Sequence, residues 1–303
     1  DRGDEEAHDE EEGGGVRAMF TAGVLDVLME HDVYDFDSVW GVSAGAIAAS
    51  CFKCRQIGRS MRIMLAFRDD RRLMSLWSFA TTGDIAGTEF LYNEVQTRLD
   101  PSHNDVFESN PLRMYAVASD IVFGTPSYLP CIKLPDDMIK IQASSSLPPV
   151  SHTVEIDGHR YLDGGTTDSV PFEVALGLEG SAKIEGHTPA KRALVVLTKH
   201  RAYQKTLSPL TYEYIALRSH RYDDFPYYVT ALRERADRYN AQRDRLFALE
   251  AQEDSPVLVI APEKPVEVGV SEKDGGKLLD LYLQGRTQAE RRLDEIKAFL
   301  AQE

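Results

Sequence analysis

The stretch Val39–Ser50, VWGVSAGAIAAS, constrains the fold more than any other part of the chain. A short apolar run leads into G-V-S-A-G, with the serine at position 43, and small helix-forming residues follow. This order predicts a buried strand, a tight turn and a buried helix that ends at Gly58. A serine in such a turn stands clear of the sheet at a helix N-terminus, which suits a nucleophile. A plain strand–helix turn that happens to contain a serine is the alternative.

The remaining pattern also alternates between strands and helices. Strands are predicted at 112–121 and 126–134, at the hairpin TVEIDGHRYLD around Asp157-Gly158, and in RALVVLT and PVLVIAP. Helical periodicity covers 16–30, 211–253 and the amphipathic tail from 273 to 303. Such alternation indicates an α/β sandwich with a mainly parallel sheet. The basic cluster within Arg233–Arg245 is interpreted as a solvated helix face.

Composition excludes several classes of function. The chain has 303 residues and a formal net charge of −15, which argues against nucleic acid as the main partner and against binding anionic membranes by bulk charge. The three cysteines cannot form a disulfide framework, so reduced thiols and a cytoplasmic location are expected. No apolar stretch approaches the ~20 residues needed to cross a bilayer, and no secretory signal is visible.

Three glycines, Gly13, Gly14 and Gly15, separate the acidic run DRGDEEAHDEEE from the first predicted helix. Glycines at a helix start offer backbone N–H groups with no side chain in the way, as an oxyanion requires. Arg17 adds a positive charge nearby. A flexible linker is the alternative. The run does not fit the phosphate-binding pattern G-x-x-x-x-G-K-[ST], and it departs from the dinucleotide pattern G-x-G-x-x-G at its last position.

Two kinds of residue are candidates for taking the serine proton. Asp163 follows a strand and precedes Gly164 and Gly165, so its turn allows close approach to another loop. A carboxylate beside a serine in a site of low dielectric can accept the proton, although an aspartate here could also only cap the turn. A Ser-His-Asp triad would need a late histidine instead. The candidates are His152, His159, His187, His200 and His220, of which His200, at the end of a predicted strand, is the best placed.

These motifs together resemble those of the patatin-like phospholipases, which carry G-G-G-x-R-G, then G-x-S-x-G, then D-G-G or D-G-A. The chain has GGGVRA at 13–18, GVSAG at 41–45 and DGG at 163–165, in that order. The segments FTAGVLDVL, SVWGVSAGA, ASSSLPPV and YLDGGTTDSVPFEVA are similar to bacterial members as well. The resemblance covers about 13–197.

The resemblance implies a three-layer α/β/α sandwich followed by C-terminal helices, and a serine acyl hydrolase that cleaves lipid esters. It implies that Ser43 and Asp163 form a catalytic dyad. The oxyanion hole would be built from Gly13, Gly14, Gly15 and Val16, with support from Arg17, Gly41, Gly45, Gly164 and Gly165. No metal or organic cofactor is implied. The partner would be a lipid ester or phospholipid, with transient membrane contact left open. A catalytically silent lipid- or acyl-binding protein on the same fold, and a Ser-His-Asp esterase, are the alternatives.

The chain departs from the family pattern in two places. Ala18 stands where the family usually has glycine, which would strain the loop if that position needed a positive φ. The acidic residues before Gly13 stand where the family has an apolar first strand. We therefore expect an acidic arm at 1–12, a catalytic core at 13–200, and a helical elaboration at 201–303 that contains one further strand and belongs to the same domain.

Three further features have a structural and a functional interpretation. Cys51-x-x-Cys54 is interpreted as buried small residues rather than a redox or zinc half-site. Asp120 and Asp168 either hold the site through hydrogen bonds or cap local turns. The apolar-aromatic segment at 73–92 is interpreted as core packing with a polar loop, and the alternatives are a cover over the substrate or an interfacial patch.

Overall fold

The computed structural model describes residues 15–73, 75–269 and 272–302, so the predicted acidic arm at 1–12 lies outside the described residues. The strands are β1 (Ser38–Val42), β2 (Arg113–Asp120), β3 (Thr125–Cys131), β4 (Val154–Ile156), β5 (His159–Asp163), β6 (Ala193–Val196) and β7 (Val257–Ile260). The helices are α1 (Ala18–Glu30), α2 (Ala44–Lys53), α3 (Arg59–Phe67), α4 (Leu76–Thr82), α5 (Asn104–Ser109), α6 (Met138–Ser144), α7 (Phe172–Ala175), α8 (Tyr212–Arg218), α9 (Pro226–Glu250), α10 (Gly275–Arg291) and α11 (Leu293–Leu300). Short 3-10 turns at Gly15–Arg17 and Gly164–Thr166 and a π-helix at Phe90–Leu99 complete these elements.

Strand β2 is the centre of a five-stranded sheet. β3 runs antiparallel along one edge of β2, from Met114 to Asp120. The other edge is divided: β1 pairs in parallel with residues 113–117, and β5 pairs antiparallel with residues 118–120. Because a strand has only two edges, β1 and β5 must lie end to end along β2. This arrangement positions the site described below.

The predicted hairpin is confirmed, and a second sheet lies beside the first. β4 and β5 pair antiparallel, and the turn residues Asp157 and Gly158 have φ of 52° and 80°. Positive φ at both central residues is the backbone of a tight two-residue hairpin turn. β6 and β7 form a separate parallel pair. The parallel pairs are thus β1–β2 and β6–β7, whereas β2–β3, β2–β5 and β4–β5 are antiparallel.

The side chains of β7 alternate between two core clusters, which shows that the β6–β7 sheet lies between two helical layers. Leu258 and Ile260 belong to a core cluster with residues of α1 and α10, whereas Val257 and Val259 belong to a cluster with residues of α7 and α9. Successive side chains of a strand point to opposite faces, so helices cover both faces. The predicted three-layer α/β/α sandwich with C-terminal helices is confirmed.

Close backbone contact joins α1 to α10 within the first helical layer. A Cβ added at Gly23 of α1 would lie 2.1 Å from the Tyr282 carbonyl oxygen, and one added at Gly285 of α10 would lie 2.1 Å from that of Phe20. The two glycines face the partner helix, and only hydrogen at those positions permits this approach. The C-terminal helices are consequently packed into the core.

Three boundaries differ from the prediction. α2 ends at Lys53 rather than Gly58, because Gly58, with φ of 72°, precedes α3 as its N-cap. The charged region from 211 to 253 divides into α8 and α9, with Pro226 at the first turn of α9. The tail divides at Arg292 into α10 and α11.

The basic cluster on α9 is not a solvated face throughout. Arg235 and Arg243 are 7% and 1% exposed. Each donates to backbone carbonyl oxygens: Arg235 to Gly165 at 2.6 Å, and Arg243 to His200 at 2.7 Å. Charge spacing along a helix does not reveal such distant acceptors, which explains why the prediction was wrong for these two residues.

Candidate active site

The register of the sheet brings the ends of β1 and β5 together on one edge of β2. Val42, which precedes Ser43, lies opposite Val117, and Asp163 lies opposite the next residue, Ala118. β1 runs parallel to β2 and β5 runs antiparallel, so the two strands approach this point from opposite directions and both end there. The sheet itself therefore makes Ser43 and Asp163 neighbours.

Ser43 has the strained backbone that the G-x-S-x-G turn predicts. Its φ and ψ are 57° and −132°, a region that residues with a side chain rarely occupy. Its N–H donates to Ser144 Oγ at 3.0 Å, which ties the turn to α6. A Cβ added at Gly41 would lie 2.4 Å from Ala46 Cα, whereas one added at Gly45 would meet open space. Ser43 directly precedes α2, whose N-terminal dipole favours negative charge at this position.

Asp163 is buried and only partly hydrogen-bonded. Its Oδ1 accepts from the Gly165 N–H at 2.8 Å, and its own N–H donates to the Ser146 carbonyl at 2.8 Å. Its Oδ2 is buried, and no donor among the described residues meets it at a standard hydrogen-bond distance and angle. Burial raises the pKa of Asp163, and the Ser43 hydroxyl, the positive charge of Arg235 and the Gly165 N–H oppose this rise. Oδ2 is thus available for a proton on a carboxyl whose basicity burial increases.

The two glycines after Asp163 are required by close packing. A Cβ added at Gly164 would lie 2.1 Å from the Val117 carbonyl oxygen, so the turn rests directly on β2. A Cβ added at Gly165 would lie 3.0 Å from both Asp163 Oδ1 and an Arg235 nitrogen. A side chain at Gly164 would overlap the main chain of β2, and one at Gly165 would crowd the Asp163 carboxylate and Arg235.

The candidate oxyanion loop is described in part. Gly13 and Gly14 lie outside the described residues, while Gly15, with φ of 32°, begins the 3-10 turn. Val16 is buried at 2% exposure. Ala18 is the first residue of α1 and is absent from the positive-φ residues, so the alanine in place of the family's glycine causes no backbone strain there.

Arg17 is buried behind this loop, at 1% exposure, and its Nε donates to the Val268 carbonyl at 2.9 Å. It is not among the residues that line the cavity described next. This contact joins the start of α1 to the segment between β7 and α10.

A cavity of about 270 Å³ has both Ser43 and Asp163 in its wall. Unbroken runs of residues from the two sheets, 38–43 and 193–198, line it. Side chains alternate along a strand, so unbroken runs mean that the backbone edges of β1 and β6 face the cavity. Helices form the other walls, through Ala18, Thr21, Leu25, Leu28, Ala49, Phe52, Phe172, Ala175, Arg235 and Tyr239. This lining is mainly apolar.

Among the residues that the structure describes, no histidine lines this cavity. The His200 ring packs against Tyr203, and His159 lies 2.8 Å from Asp120. His152 lies beside Asp84, His187 packs against Trp40, and His220 pairs with Asp223. This placement favours an aspartate as the proton acceptor.

The remaining candidates from the sequence are the cysteine pair, Asp168 and the segment 73–92, and each has contacts that a structural role explains. Cys51 and Cys54 are buried free thiols, as expected, and no cluster of metal-ligating side chains occurs within 15–73, 75–269 and 272–302. Asp168 accepts from Tyr128 and Gln242, each at 2.8 Å. The segment 73–92 contains α4, on which Trp77 is 48% exposed. None of the described residues of this segment lines the cavity.

Sequence reasoning missed three residues that contact the site. Ser144 and Ser146 hold the main chains of Ser43 and Asp163, respectively. Both lie in ASSSLPPV, a segment that supported the family resemblance but received no role. Arg235 had no local signal at all, because it meets the site only through the packing of α9.

Comparison with known families matches residues 12–176 to "Patatin-like phospholipase". This match covers more than half of the chain and contains the glycine run, Ser43 and Asp163. The chain belongs to the patatin-like phospholipase family. The patatin-like region ends at α7, and residues 225–301 match a second family, described as a domain of unknown function (DUF6363).

A curated relative is similar to the patatin-like part. The uncharacterized protein YjjU of Escherichia coli (strain K12) is 30% identical over 169 residues, which is 54% of this chain and 46% of YjjU. The match thus spans about half the length of that relative. Family membership supports lipid acyl hydrolase activity at the level of the family. None of the described helices is both long and apolar enough to span a membrane.

Proposed function

We propose that the protein is a serine acyl hydrolase that cleaves carboxylic esters of lipids, of the phospholipase A or lipid acyl hydrolase type, through a Ser43–Asp163 dyad. The observation that carries this proposal is that β1 and β5 meet on one edge of β2, which makes Ser43, in the G-x-S-x-G turn (the elbow), and the buried Asp163 neighbours. The strained elbow and the available Oδ2 of Asp163 are the features that the chemistry requires.

In the proposed reaction, Ser43 Oγ attacks the ester carbonyl carbon while its proton passes to Asp163 Oδ2. The carbonyl oxygen becomes an oxyanion, held by N–H groups of the loop Gly13–Val16 near the N-terminus of α1. The tetrahedral intermediate then collapses: the bond to the alcohol breaks, and the alcohol takes the proton from Asp163. A water then attacks the acyl carbonyl while Asp163 takes its proton. The bond between the acyl carbon and Ser43 Oγ breaks, Asp163 returns the proton to Ser43 Oγ, and the acid is released. The cycle needs no metal or organic cofactor.

The mainly apolar cavity beside the dyad supports a lipid rather than a polar ester as substrate. Helix side chains such as Leu25, Leu28 and Phe52 would contact an acyl chain, while the ester would lie near Ser43. The division into an arm at 1–12, a core at 13–200 and an elaboration at 201–303 stays a prediction. So do the cytoplasmic location and any transient membrane contact.

Hydrolysis of a chromogenic fatty-acid ester tests the dyad. We expect Ser43→Ala and Asp163→Asn each to lower kcat/KM by at least about a hundredfold, because each removes a group of the acyl-transfer step. His200→Ala is the matched control and should keep wild-type activity. Wild-type rates in both dyad variants would reject the mechanism, and a collapse in the control would revive a histidine triad.

A fluorophosphonate probe separates an enzyme from a silent lipid-binding protein on the same fold. Such probes react only with an activated serine. Labelling of wild type but not of Ser43→Ala is the expected result. Binding of a fatty-acid ligand without any labelling of Ser43 would instead indicate a binding module.

A further inference from the structure

One face of α9 holds the turn that follows Asp163. Arg235, Arg238 and Gln242 follow one another at helical spacings of three and four residues, so they lie on one side of the helix. They donate, respectively, to the Gly165 carbonyl at 2.6 Å, the Thr166 carbonyl at 2.9 Å and Asp168 Oδ1 at 2.8 Å. Three side chains of α9, which we call anchors, therefore hold the turn at three successive points.

Arg235 is the anchor nearest the dyad. It is 7% exposed and lines the same cavity as Ser43 and Asp163. Besides its bond to Gly165, it forms a buried ion pair with Glu213 of α8. Lys205 lies 3.5 Å from the same Glu213 carboxylate. Because the Gly165 carbonyl and the Glu213 carboxylate both hold the guanidinium, its position is fixed, unlike that of an arginine on the surface.

We infer that α9 completes the candidate active site, with Arg235 as a positioning residue that fixes the Asp163–Gly165 turn and supplies the positive charge beside the Asp163 carboxylate. The inference rests on the proposed function, because it assigns Arg235 a part in the acyl transfer of that same dyad. The Gly165 carbonyl held by Arg235 belongs to the residue whose N–H donates to Asp163 Oδ1. Movement of Arg235 would consequently move a hydrogen-bond donor of the base.

Arg235 is the charged side chain that acts on the ionisation of Asp163, after the larger effects of burial and of the Ser43 hydroxyl. The titratable side chains that face Asp163 or lie behind Arg235 are Tyr92, Tyr228, Arg235, Glu213 and Lys205, and the Ser43 hydroxyl also faces the carboxylate. Both tyrosines are neutral near pH 7, because burial raises the pKa of Tyr92 to about 12 and raises that of Tyr228 well above its usual value. The Arg235 charge lowers the pKa of Asp163 against the opposing effect of burial. Arg235 thus favours the ionised base.

This role falls in a part of the chain whose family has no assigned function. α9 lies within 225–301, the region matched to the domain of unknown function, and outside the patatin-like region. The inference gives the first helix of this region a contribution to catalysis, since the patatin-like region by itself contains the dyad but not the cation beside it.

The pH dependence of ester hydrolysis tests the inference. Activity should fall at low pH as Asp163 is protonated. In Arg235→Gln this acid limb should move to higher pH, so that at a pH on the limb the activity relative to the plateau falls about tenfold below that of wild type. Arg235→Lys keeps the charge but loses the planar fork, so we expect a lower plateau with a nearly unchanged limb. Arg233→Gln removes the same charge from the exposed side of α9 and should leave the limb unchanged.

A double-mutant cycle gives a readout independent of activity. The stabilities of wild type, Arg235→Gln, Asp163→Asn and the double variant are measured by denaturant unfolding across the pH range. Where Asp163 is ionised, Arg235→Gln should cost more in wild type than in the Asp163→Asn background, and the difference should vanish where Asp163 is protonated.

The two readouts distinguish the possible failures. Additive stabilities at every pH, together with an acid limb in Arg235→Gln that matches wild type, would overturn the role of Arg235. Full activity of Ser43→Ala would overturn the proposed function instead, and the stability cycle would then still report whether Arg235 acts on Asp163.

Discussion

The two glycines of the G-x-S-x-G turn should respond differently to substitution by alanine, because Gly41 has no space for a Cβ whereas Gly45 does. A Cβ at Gly41 would lie 2.4 Å from Ala46 Cα, 2.7 Å from Ala46 N and 2.8 Å from the Gly45 carbonyl oxygen. All three are backbone atoms of the elbow and the first turn of α2, so no side-chain rotation relieves the overlap. A Cβ at Gly45 meets nothing within 4 Å.

We therefore expect Gly41→Ala to destabilise the protein by about 2–4 kcal/mol, as overpacking against fixed backbone does. For a chain of this size that loss corresponds to a fall in Tm of roughly 3–6 °C. Gly45→Ala adds the same methyl group within α2, where alanine is favoured over glycine, so its stability should stay within about 1 kcal/mol of wild type.

Thermal and denaturant unfolding of both variants measure this difference, with circular dichroism at 222 nm as the signal. The reasoning would be refuted by equal losses in the two variants, or by a Gly41→Ala protein as stable as wild type. Either result would mean that the elbow relaxes far more easily than its backbone contacts indicate.

Three further predictions concern the same site. Ser43→Gly removes a side chain from a backbone with φ of 57°, so it should be about 0.5–2 kcal/mol more stable than Ser43→Ala after the greater chain entropy of glycine is counted, by denaturant unfolding. Burial raises the pKa of Asp163, so the stability linked to its protonated form is present below the unfolded pKa and is lost as pH rises through the folded pKa. Asp163→Asn should accordingly gain stability over wild type as pH rises, with no gain in acid; a gain that is constant with pH would contradict this. Ser144→Ala leaves the buried Ser43 N–H without its acceptor and should cost about 1–3 kcal/mol while lowering kcat for ester hydrolysis, whereas Ser109→Ala on α5 should change neither.

Local features of the site could be predicted from the sequence because short-range chemistry determines them. The strand–turn–helix around Ser43 follows from small residues flanking one position, and the hairpin at Asp157-Gly158 follows from residues that tolerate positive φ. The family resemblance supplied the pairing of Ser43 with Asp163. The α2 end was misplaced because Gly58 suits a helix start in this context as well as a helix end.

Long-range features could not be predicted for an equally physical reason. The end-to-end arrangement of β1 and β5 depends on which positions of β2 each strand pairs with, and nothing within either strand encodes that register. Arg235 lies in a charged helix whose pattern is typical of a solvated face. Its tertiary contacts with the Gly165 carbonyl and with Glu213 distinguish it from the exposed Arg233.

The cavity between β1 and β6 also limits how this protein could be re-engineered. Two walls are backbone edges, whose positions are fixed by the sheets, so substitutions in the strands will change its width little. Small side chains of the helical layers, at Ala18, Ala49 and Ala175, also line it. A library that varies these three positions can lengthen or shorten the space for a ligand while the serine, the aspartate and their supporting turns stay as they are. The proposed Ser43–Asp163 dyad and the size of the cavity beside it are thus separately adjustable parts of the same fold.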